Sequence, residues 1–282
     1  MPQQGPSWDI VADAQLLLQF HFMQNALTAG TLVALLAGVA GYFVVLRGQS
    51  FAAHMLSQVG FPGAAAAVLV HVPPVAGLVV FCGGAALAVG TVRGRLDAGG
   101  RAESAVVGSL LALSLALGLV FVRLYAGSVQ EVYAFLFGSI LGITDADVTV
   151  TLVTAVVALA VIVFIGRPLL FASVDPDVAD ARGVGVRRLA TVFVVTLVLA
   201  VAITVQIVGT LLIFALLVAP AAAATQMTAR PLVAVALSAG LALASTWAGM
   251  SVAYFTNLPV GFSITTFTFA VYLCARAWRR LA

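Results

Sequence analysis

Four polar side chains with helical spacing interrupt an apolar stretch of the chain, residues 50–63. They occupy positions i, i+4, i+7 and i+8, so one face of a helix would carry Ser50, His54, Ser57 and Gln58. Inside a membrane such a stripe must face a protein interior or a water-filled path, because polar groups left unsatisfied in hydrocarbon are costly. The stripe is therefore a candidate permeation pathway.

Sequence patterns for enzymatic chemistry are missing from the rest of the chain. It has no Gly-rich phosphate loop, no His-Glu-x-x-His pattern and no Ser/His/Asp set at plausible spacing. Cys82 and Cys274 both lie in apolar runs, which favours packing roles over a disulfide or a zinc site. We predict a chain that is not an enzyme, has no intrinsic cofactor and does not bind nucleic acid.

The composition is that of an integral membrane protein. Hydrophobic residues make up 63% of the 282 and charged residues only 8%, far from the balance of a soluble protein. Frequent Gly and Ala within the apolar runs favour close helix packing, as a polytopic bundle requires. The chain is therefore predicted to be one all-α transmembrane domain over residues 1–282, with 1–18 as an extracytoplasmic tail.

Nine apolar runs approach the length of about 20 residues that a bilayer core requires. We predict nine spans, with eight as the alternative because the join at 206–209 is almost uninterrupted. The runs cover residues 19–46, 52–71, 74–92, 104–124, 148–166, 189–208, 209–227, 232–251 and 262–276.

The charged residues predict the orientation of these spans. All thirteen basic residues are arginine, and twelve fall on one side when the connections alternate, with Arg123 as the exception. By the positive-inside rule this side is cytoplasmic, so the N-terminus is predicted outside and the C-terminus inside. The twelve are Arg47, Arg93, Arg95, Arg101, Arg167, Arg182, Arg187, Arg188, Arg230, Arg276, Arg279 and Arg280.

The outer connection between runs four and five, residues 127–147, is apolar and aromatic but too interrupted to span. It could lie in the membrane interface as an outer rim or gate, or serve packing alone. In the runs themselves, kink or close-packing positions are predicted at Pro62, Gly63, Gly209 and Pro220.

The predicted cytoplasmic loop 168–188 contains strong helix signals. Asp175 suits an N-cap, Pro176 the first helical position, Asp177 the first turn, and Arg182 with Gly183 the end. A short helix of about two turns is expected. Such a helix could dock a partner or simply connect two spans.

The acidic residues bear on the energy source. All ten Asp and Glu fall in predicted loops or tails, whereas gradient-driven carriers commonly place carboxylates within the membrane. Transport driven by a separate ATPase is therefore favoured over a gradient-driven secondary carrier.

Short motifs in a fixed order make the chain resemble the membrane permease subunits of zinc/manganese/iron-type ABC importers. Their order and spacing are more specific than any one of them. They are Phe22–Leu27, Gly41–Arg47, Leu56–Ser57, Pro62–Gly63, Leu136–Gly142, Asp175–Gly183, Val208–Leu212 and Ala215–Ala221.

The resemblance implies a fold like that of type II ABC importers and a set of partners. A second permease chain, most simply an identical one, two cytoplasmic ATP-binding subunits with ATP and Mg²⁺, and an extracytoplasmic metal-binding protein are expected. The 175–183 helix, including Ala179, is implied to be the coupling helix that docks on the ATPase. The expected location is a bacterial inner membrane.

One difference from the family pattern lies in the polar stripe itself. Similar permeases carry Asp-Ala-Leu-Ser-His before the Pro-Gly, and the resemblance implies that this Asp and His are pathway ligands. The matching positions here are His54 and Gln58. Imidazole binds several transition metals but an amide oxygen is a weak ligand. The predicted cargo is a divalent metal, zinc or manganese, with a metal chelate or corrinoid-like cofactor as the alternative.

Overall fold

The computed structural model describes residues 19–95, 101–125, 138, 142–256 and 258–281. Within those residues the secondary structure is helical, without a strand. The ten helices are α1 His21–Leu46, α2 Ser50–Leu69, α3 Pro74–Arg95, α4 Arg101–Leu124, α5 Asp145–Val174, α6 Pro176–Ala181, α7 Val186–Val208, α8 Thr210–Met227, α9 Pro231–Thr256 and α10 Val260–Leu281. This confirms the predicted all-α transmembrane bundle.

Each of the nine predicted apolar runs corresponds to one helix, and α6 is the additional short one. Seven helices are long and apolar enough to cross a membrane, while the apolar segments Pro74–Gly90 and Leu212–Met227 are shorter than 18 residues. The chain is thus a multi-pass membrane protein, and the count of nine spans stays a prediction. The join between α7 and α8 is a single residue, Gly209, with φ +82°.

Helix α5 is longer than predicted. It begins at a capping box in which Thr144 accepts from the backbone N–H of Asp147 and the Asp147 side chain accepts from the N–H of Thr144. It then runs for 30 residues and passes through Pro168 to Val174. Burial of Leu169 and Ala172 against neighbouring helices explains why the helix continues beyond the proline.

The core is centred on α1, whose inner faces are closely packed. Glycines bring its backbone against two neighbours: a Cβ on Gly41 would overlap the carbonyl oxygen of Leu217 in α8, and one on Gly38 would lie 2.6 Å from the Cα of Ala239 in α9. Ser238 adds a buried hydrogen bond of 2.7 Å to the Gly38 carbonyl. Small residues thus let these helices pack at backbone contact, as the sequence predicted for the bundle.

The outward surfaces of several helices are large and apolar. Phe164 of α5 is 89% exposed and Leu232 of α9 is 85% exposed, with further exposed leucine and valine side chains on α4. In water such a surface would promote aggregation, but in a bilayer it faces lipid tails. The polar groups that could serve function must therefore be sought between helices and at their ends.

Candidate permeation pathway and coupling helix

Helix α2 presents one partly open face. Of its residues from Ala53 to Ala65, only His54 and Gln58 are half-buried and the others are buried. Ser50 lies one turn before His54 and is also half-buried. The i, i+4, i+8 spacing predicted from sequence therefore does place three side chains on a common face of the helix.

His54 is the ionisable member of this face. Its ring makes an edge-to-face contact with Phe214 of α8, with ring centroids 4.5 Å apart. Its Nδ1 atom is buried and has no hydrogen-bond partner among the described residues. This nitrogen has no protein hydrogen bond to give up, but it is covered, so a ligand would reach it only after the ring turns or the covering side chains move.

Ser57 is buried, unlike the other three residues predicted for the stripe. It is 1% exposed, and its hydroxyl donates a hydrogen bond of 2.7 Å to the His54 carbonyl of the same helix. Within one chain this hydroxyl lies behind the partly open face. Its contact fixes the backbone under His54 instead of adding a polar group to the surface.

Pro62 removes one backbone hydrogen bond from α2. A proline has no N–H, so the carbonyl of Gln58, four residues earlier, lacks its helical donor. Directly after Pro62, Gly63 lies in backbone contact with Gly77 of α3, where a Cβ on Gly77 would overlap the Gly63 carbonyl oxygen. Backbone contact with α3 thus holds one side of α2, and the Gln58 side chain lies on the partly open side.

Helix α8 carries the second half of the surface. Phe214, Val218 and Ala222 are half-buried at a four-residue spacing, while Pro220 is buried. Thr225 and Gln226 at its end both hydrogen-bond to the Ala222 carbonyl of their own helix. The contact between His54 and Phe214 joins the two helices into one surface. We call the α2–α8 stripe the set Ser50, His54, Gln58, Phe214, Val218 and Ala222.

The stripe of one chain does not contain a complete metal site. Across the described residues no three or more His, Cys, Asp or Glu side chains group together as metal ligands. On its partly open face, α2 of one chain offers one imidazole ring and one side-chain amide, those of His54 and Gln58. A tightly held transition metal needs more ligands than these.

The predicted coupling helix is present as α6. Asp175 has extended backbone angles and its carboxylate accepts from the Val178 N–H at 3.0 Å, with Pro176 at the start and Asp177 in the first turn. Arg182 is the C-cap. The local signals in the sequence were therefore sufficient to locate this helix, which has six residues.

The end of α6 and its attachment are also defined. Gly183 has φ +79°, a left-handed conformation that favours glycine and stops the helix. Ala179 is fully buried beneath the helix, whereas Val178 is 43% exposed. One side of α6 is thus fixed to the bundle and the other side is open.

Two sets of polar contacts join α1, α5 and α7 at opposite ends. At one end the Asn25 amide donates to Asp145 at 2.8 Å, and the Gln206 amide donates to Asp147 at 3.3 Å. We call these four residues the outer tie, after the orientation predicted from the arginines. Sequence reasoning missed it, although Gln206, an amide inside a long apolar run, was a signal.

At the other end of the same helices a second set of contacts is centred on Arg47. Its Nη1 donates to the Ser173 hydroxyl at 3.3 Å, and its guanidinium lies 5.9 Å from the ring centroid of Phe193. We call Arg47, Ser173 and Phe193 the inner tie. Because the outer tie joins the starts of α1 and α5 and the inner tie joins their ends, the two helices run parallel.

Two predicted segments fall outside the described residues. These are the tail 1–18 and most of the outer connection 127–147, namely its residues 127–137 and 139–141. The predictions of an extracytoplasmic tail and of an interfacial rim or gate therefore remain predictions.

A bundle of apolar helices with a polar stripe between two of them and a capped helix between two spans is the architecture of a membrane permease. The chain belongs to the ABC 3 transport family, whose model matches residues 19–279. This confirms the resemblance to permease subunits of metal-type ABC importers.

Curated relatives match over most of their length. The chain is 32% identical to the manganese import system permease protein ScaB of Streptococcus parasanguinis, over 91% of this chain and 90% of the relative. It is 31% identical to the manganese transport system membrane protein MntC of Halalkalibacterium halodurans, over 88% and 84%.

Solved structures agree on the fold. PsaBC from Streptococcus pneumoniae, solved in complex with a Fab, superposes with a TM-score of 0.85 at 29% identity, over 94% of this chain and 95% of the other. An inward-facing ABC transporter described as metal-chelate type gives a TM-score of 0.72 at 15% identity, over 96% and 90%. The second likeness concerns the fold alone.

Proposed function

We propose that this chain is the membrane-spanning permease subunit of an ATP-driven importer for a divalent transition metal ion, zinc or manganese. The observation that carries the proposal is the α2–α8 stripe, in which the side chains of His54 and Gln58 lie on a partly open face of α2. The manganese permeases among its relatives support a metal as cargo. The chain itself is a transport subunit, and ATP hydrolysis with Mg²⁺ belongs to its partners.

A second copy of the chain would complete the pathway. In one chain the stripe is half-exposed, and a polar face of this kind is stable in a membrane only when another protein surface or water covers it. Two stripes facing each other would bring two His54 rings and two Gln58 amides to one interface. Alternating access then follows from the two chains separating at one end and closing at the other.

The remaining partners dock at the two ends of the bundle. The open side of α6, with Asp177 and Arg182, would seat in a cytoplasmic ATPase dimer, and ATP-driven closure of that dimer would displace it. An extracytoplasmic metal-binding protein would deliver the ion at the opposite end. We propose a bacterial inner membrane as its location, with the N-terminus outside and the C-terminus in the cytoplasm, because this orientation puts twelve of the thirteen arginines inside.

The ligand chemistry of the stripe suits brief contact with the ion. Imidazole binds zinc, iron and cobalt well, whereas manganese prefers carboxylate oxygens, and the stripe has no carboxylate. The absence of a negative charge lowers affinity for any divalent ion, which allows it to leave again. Selection between metals would then rest largely with the binding protein that supplies the ion.

Metal uptake in cells that lack other importers for these ions tests the proposal. Replacing both ligands, His54→Ala with Gln58→Ala, is expected to reduce uptake of zinc and manganese at least tenfold, about the effect of removing one coupled interaction. His71→Asn is the matched control, because His71 follows the other end of α2 and is exposed. Full uptake by the double variant, at normal expression, would sink the proposed pathway.

A metal chelate is the second candidate cargo, favoured by one observation: the stripe offers a hydrogen-bonding amide and an aromatic ring instead of a carboxylate cage. Substrate-stimulated ATP hydrolysis by the assembled complex separates the two. Stimulation by free zinc or manganese, and not by a corrinoid or a siderophore complex, supports the ion. The reverse pattern supports the chelate.

A gradient-driven carrier is the least supported alternative. The described acidic residues lie at helix ends and not within the spans, for example Asp145 and Asp147 in the first turn of α5. Such a carrier predicts uptake by vesicles that contain the purified chain alone. Uptake that requires the ATPase and ATP contradicts it.

A further inference from the structure

Arg47 lies where α1, α5 and α7 meet, and the proposed mechanism requires these three helices to move together. It is the C-cap of α1, with its backbone N–H bonded to the Phe43 carbonyl. Its side chain crosses to α5 and α7, where it donates to Ser173 and lies over Phe193. A cation at a helix C-terminus also complements the helix dipole.

Both ends of the coupling helix attach to these contacts. Ser173 lies in the last turn of α5, two residues before Asp175, which caps α6. Phe193 belongs to α7, the helix that follows α6, and is fully buried. Because α5 and α7 connect to the two ends of α6, we expect a displacement of α6 to reach both side chains that hold the guanidinium.

On its other side Arg47 is directly connected to the pathway helix. Gly48 follows with φ +64°, and the Gln49 N–H bonds back to the Val44 carbonyl at 2.9 Å. Helix α2 begins at the next residue, and His54 lies one turn further on. The turn is thus closed by its own backbone bond, so a shift of Arg47 carries the start of α2 with it.

We propose that Arg47 is a positioning residue that transmits the displacement of the coupling helix to the α2–α8 stripe. The inference rests on the proposed function, since it presumes that α6 receives the motion of an ATPase. A guanidinium suits the task because its flat face stacks on a ring while its edge donates a hydrogen bond. A lysine ammonium is a point charge and does not reproduce both contacts.

The experiment measures zinc or manganese uptake and ATP hydrolysis in the same proteoliposomes, which contain the assembled complex of permease, ATPase and binding protein. Arg47→Gln is expected to leave ATP hydrolysis within twofold and to lower ions transported per ATP about tenfold, the size of a typical coupling free energy. For Arg47→Lys we expect a ratio of ions to ATP between those of the wild type and Arg47→Gln. Arg167→Gln is the matched control, because Arg167 lies on α5 and is exposed.

The outcomes separate this inference from the proposed function. If wild-type vesicles hydrolyse ATP but import neither ion, the proposed function fails and the inference with it. If the wild type imports and Arg47→Gln keeps the wild-type ratio of ions to ATP, the inference alone is overturned. If Arg47→Gln does not assemble, Ser173→Ala decides: it keeps Arg47 and Phe193, and a lowered ratio supports the inference, whereas an unchanged ratio overturns it.

Discussion

Two regions of the bundle are held together by different kinds of contact. Helices α1, α5 and α7 form a column that polar side chains join at both ends, through the outer tie and the inner tie. The helices of the α2–α8 stripe are instead held from behind, by the backbone contacts of Gly63 with Gly77 and of Gly41 with Leu217. Their front faces meet through rings, His54 on Phe214.

The difference suits a transporter in which one part keeps its shape and another opens. Polar contacts at both ends fix the length and register of the column, because each partner must find the same donor or acceptor again. Ring contacts and small side chains on the stripe have no such directional requirement, so a stripe that meets a second protein surface, as we propose, would separate from it and close again at lower cost. Three substitutions test this comparison.

The largest effect is expected behind the stripe, at Gly41. Gly41→Ala places a Cβ against the Leu217 carbonyl oxygen, and this backbone atom has no rotamer by which to withdraw. We expect the free energy of unfolding to fall by about 1–3 kcal/mol, the usual range for overpacking. Size-exclusion chromatography of heated samples in detergent measures the effect, as a lower temperature at which half of the monodisperse peak is lost. Gly240→Ala in α9 is the control, because nothing lies within 4 Å of its added Cβ. Equal midpoints for the two variants would contradict the close packing of α1 on α8.

A smaller effect is expected in the column, at the outer tie. Asn25→Ala removes the donor to Asp145 and to the Ile143 carbonyl, and should cost about 1 kcal/mol. Hydrogen–deuterium exchange measures this cost, and we expect the backbone amides to exchange faster in the first turns of α5 alone. Thr28→Ala is the control, because Thr28 lies one turn away and its hydroxyl donates within its own helix, to the Gln24 carbonyl. Unchanged exchange in the Asn25 variant would show that the column does not depend on this tie.

The smallest effect is expected from His21. Its Nε2 lies 3.6 Å from the same Asp145 carboxylate, but the two side chains are 71% and 76% exposed. Exposed ion pairs contribute little because water and salt screen them. His21→Ala should therefore leave both the midpoint and the exchange of α5 unchanged. If His21→Ala speeds exchange in α5 as much as Asn25→Ala does, the charge of the His21–Asp145 pair, and not the Asn25 amide, stabilises this end of the column.

The sequence predicted those features that depend on neighbouring residues. The lengths of the apolar runs located the helices, and Asp175 followed by Pro176 located α6, because capping acts within one turn. Spacing along α2 also identified the face shared by His54 and Gln58. These features require no knowledge of what packs against them.

Features that depend on distant residues were not predictable in the same way. The contact of Arg47 with Ser173 joins residues 126 apart, and that of Asn25 with Asp145 joins residues 120 apart. Ser57 has the right spacing for the stripe, yet neighbouring helices cover it. Helix α5 was expected to stop at 166, but burial of Leu169 outweighed the signal of Pro168. In each case the tertiary neighbours decided, and a single sequence does not name them.

The length of α5 gives the bundle a mechanical advantage. Thirty residues span about 45 Å, roughly 15 Å more than the hydrocarbon core, so the end that carries α6 stands clear of the lipid tails. With the outer tie as a fulcrum, a tilt of about 5° swings that far end by about 4 Å, most of one helical turn. On the proposed function, a partner that pushes on α6 would work on the full length of α5, and the middle of the helix, about half as far from the fulcrum, would move about half as far with greater force.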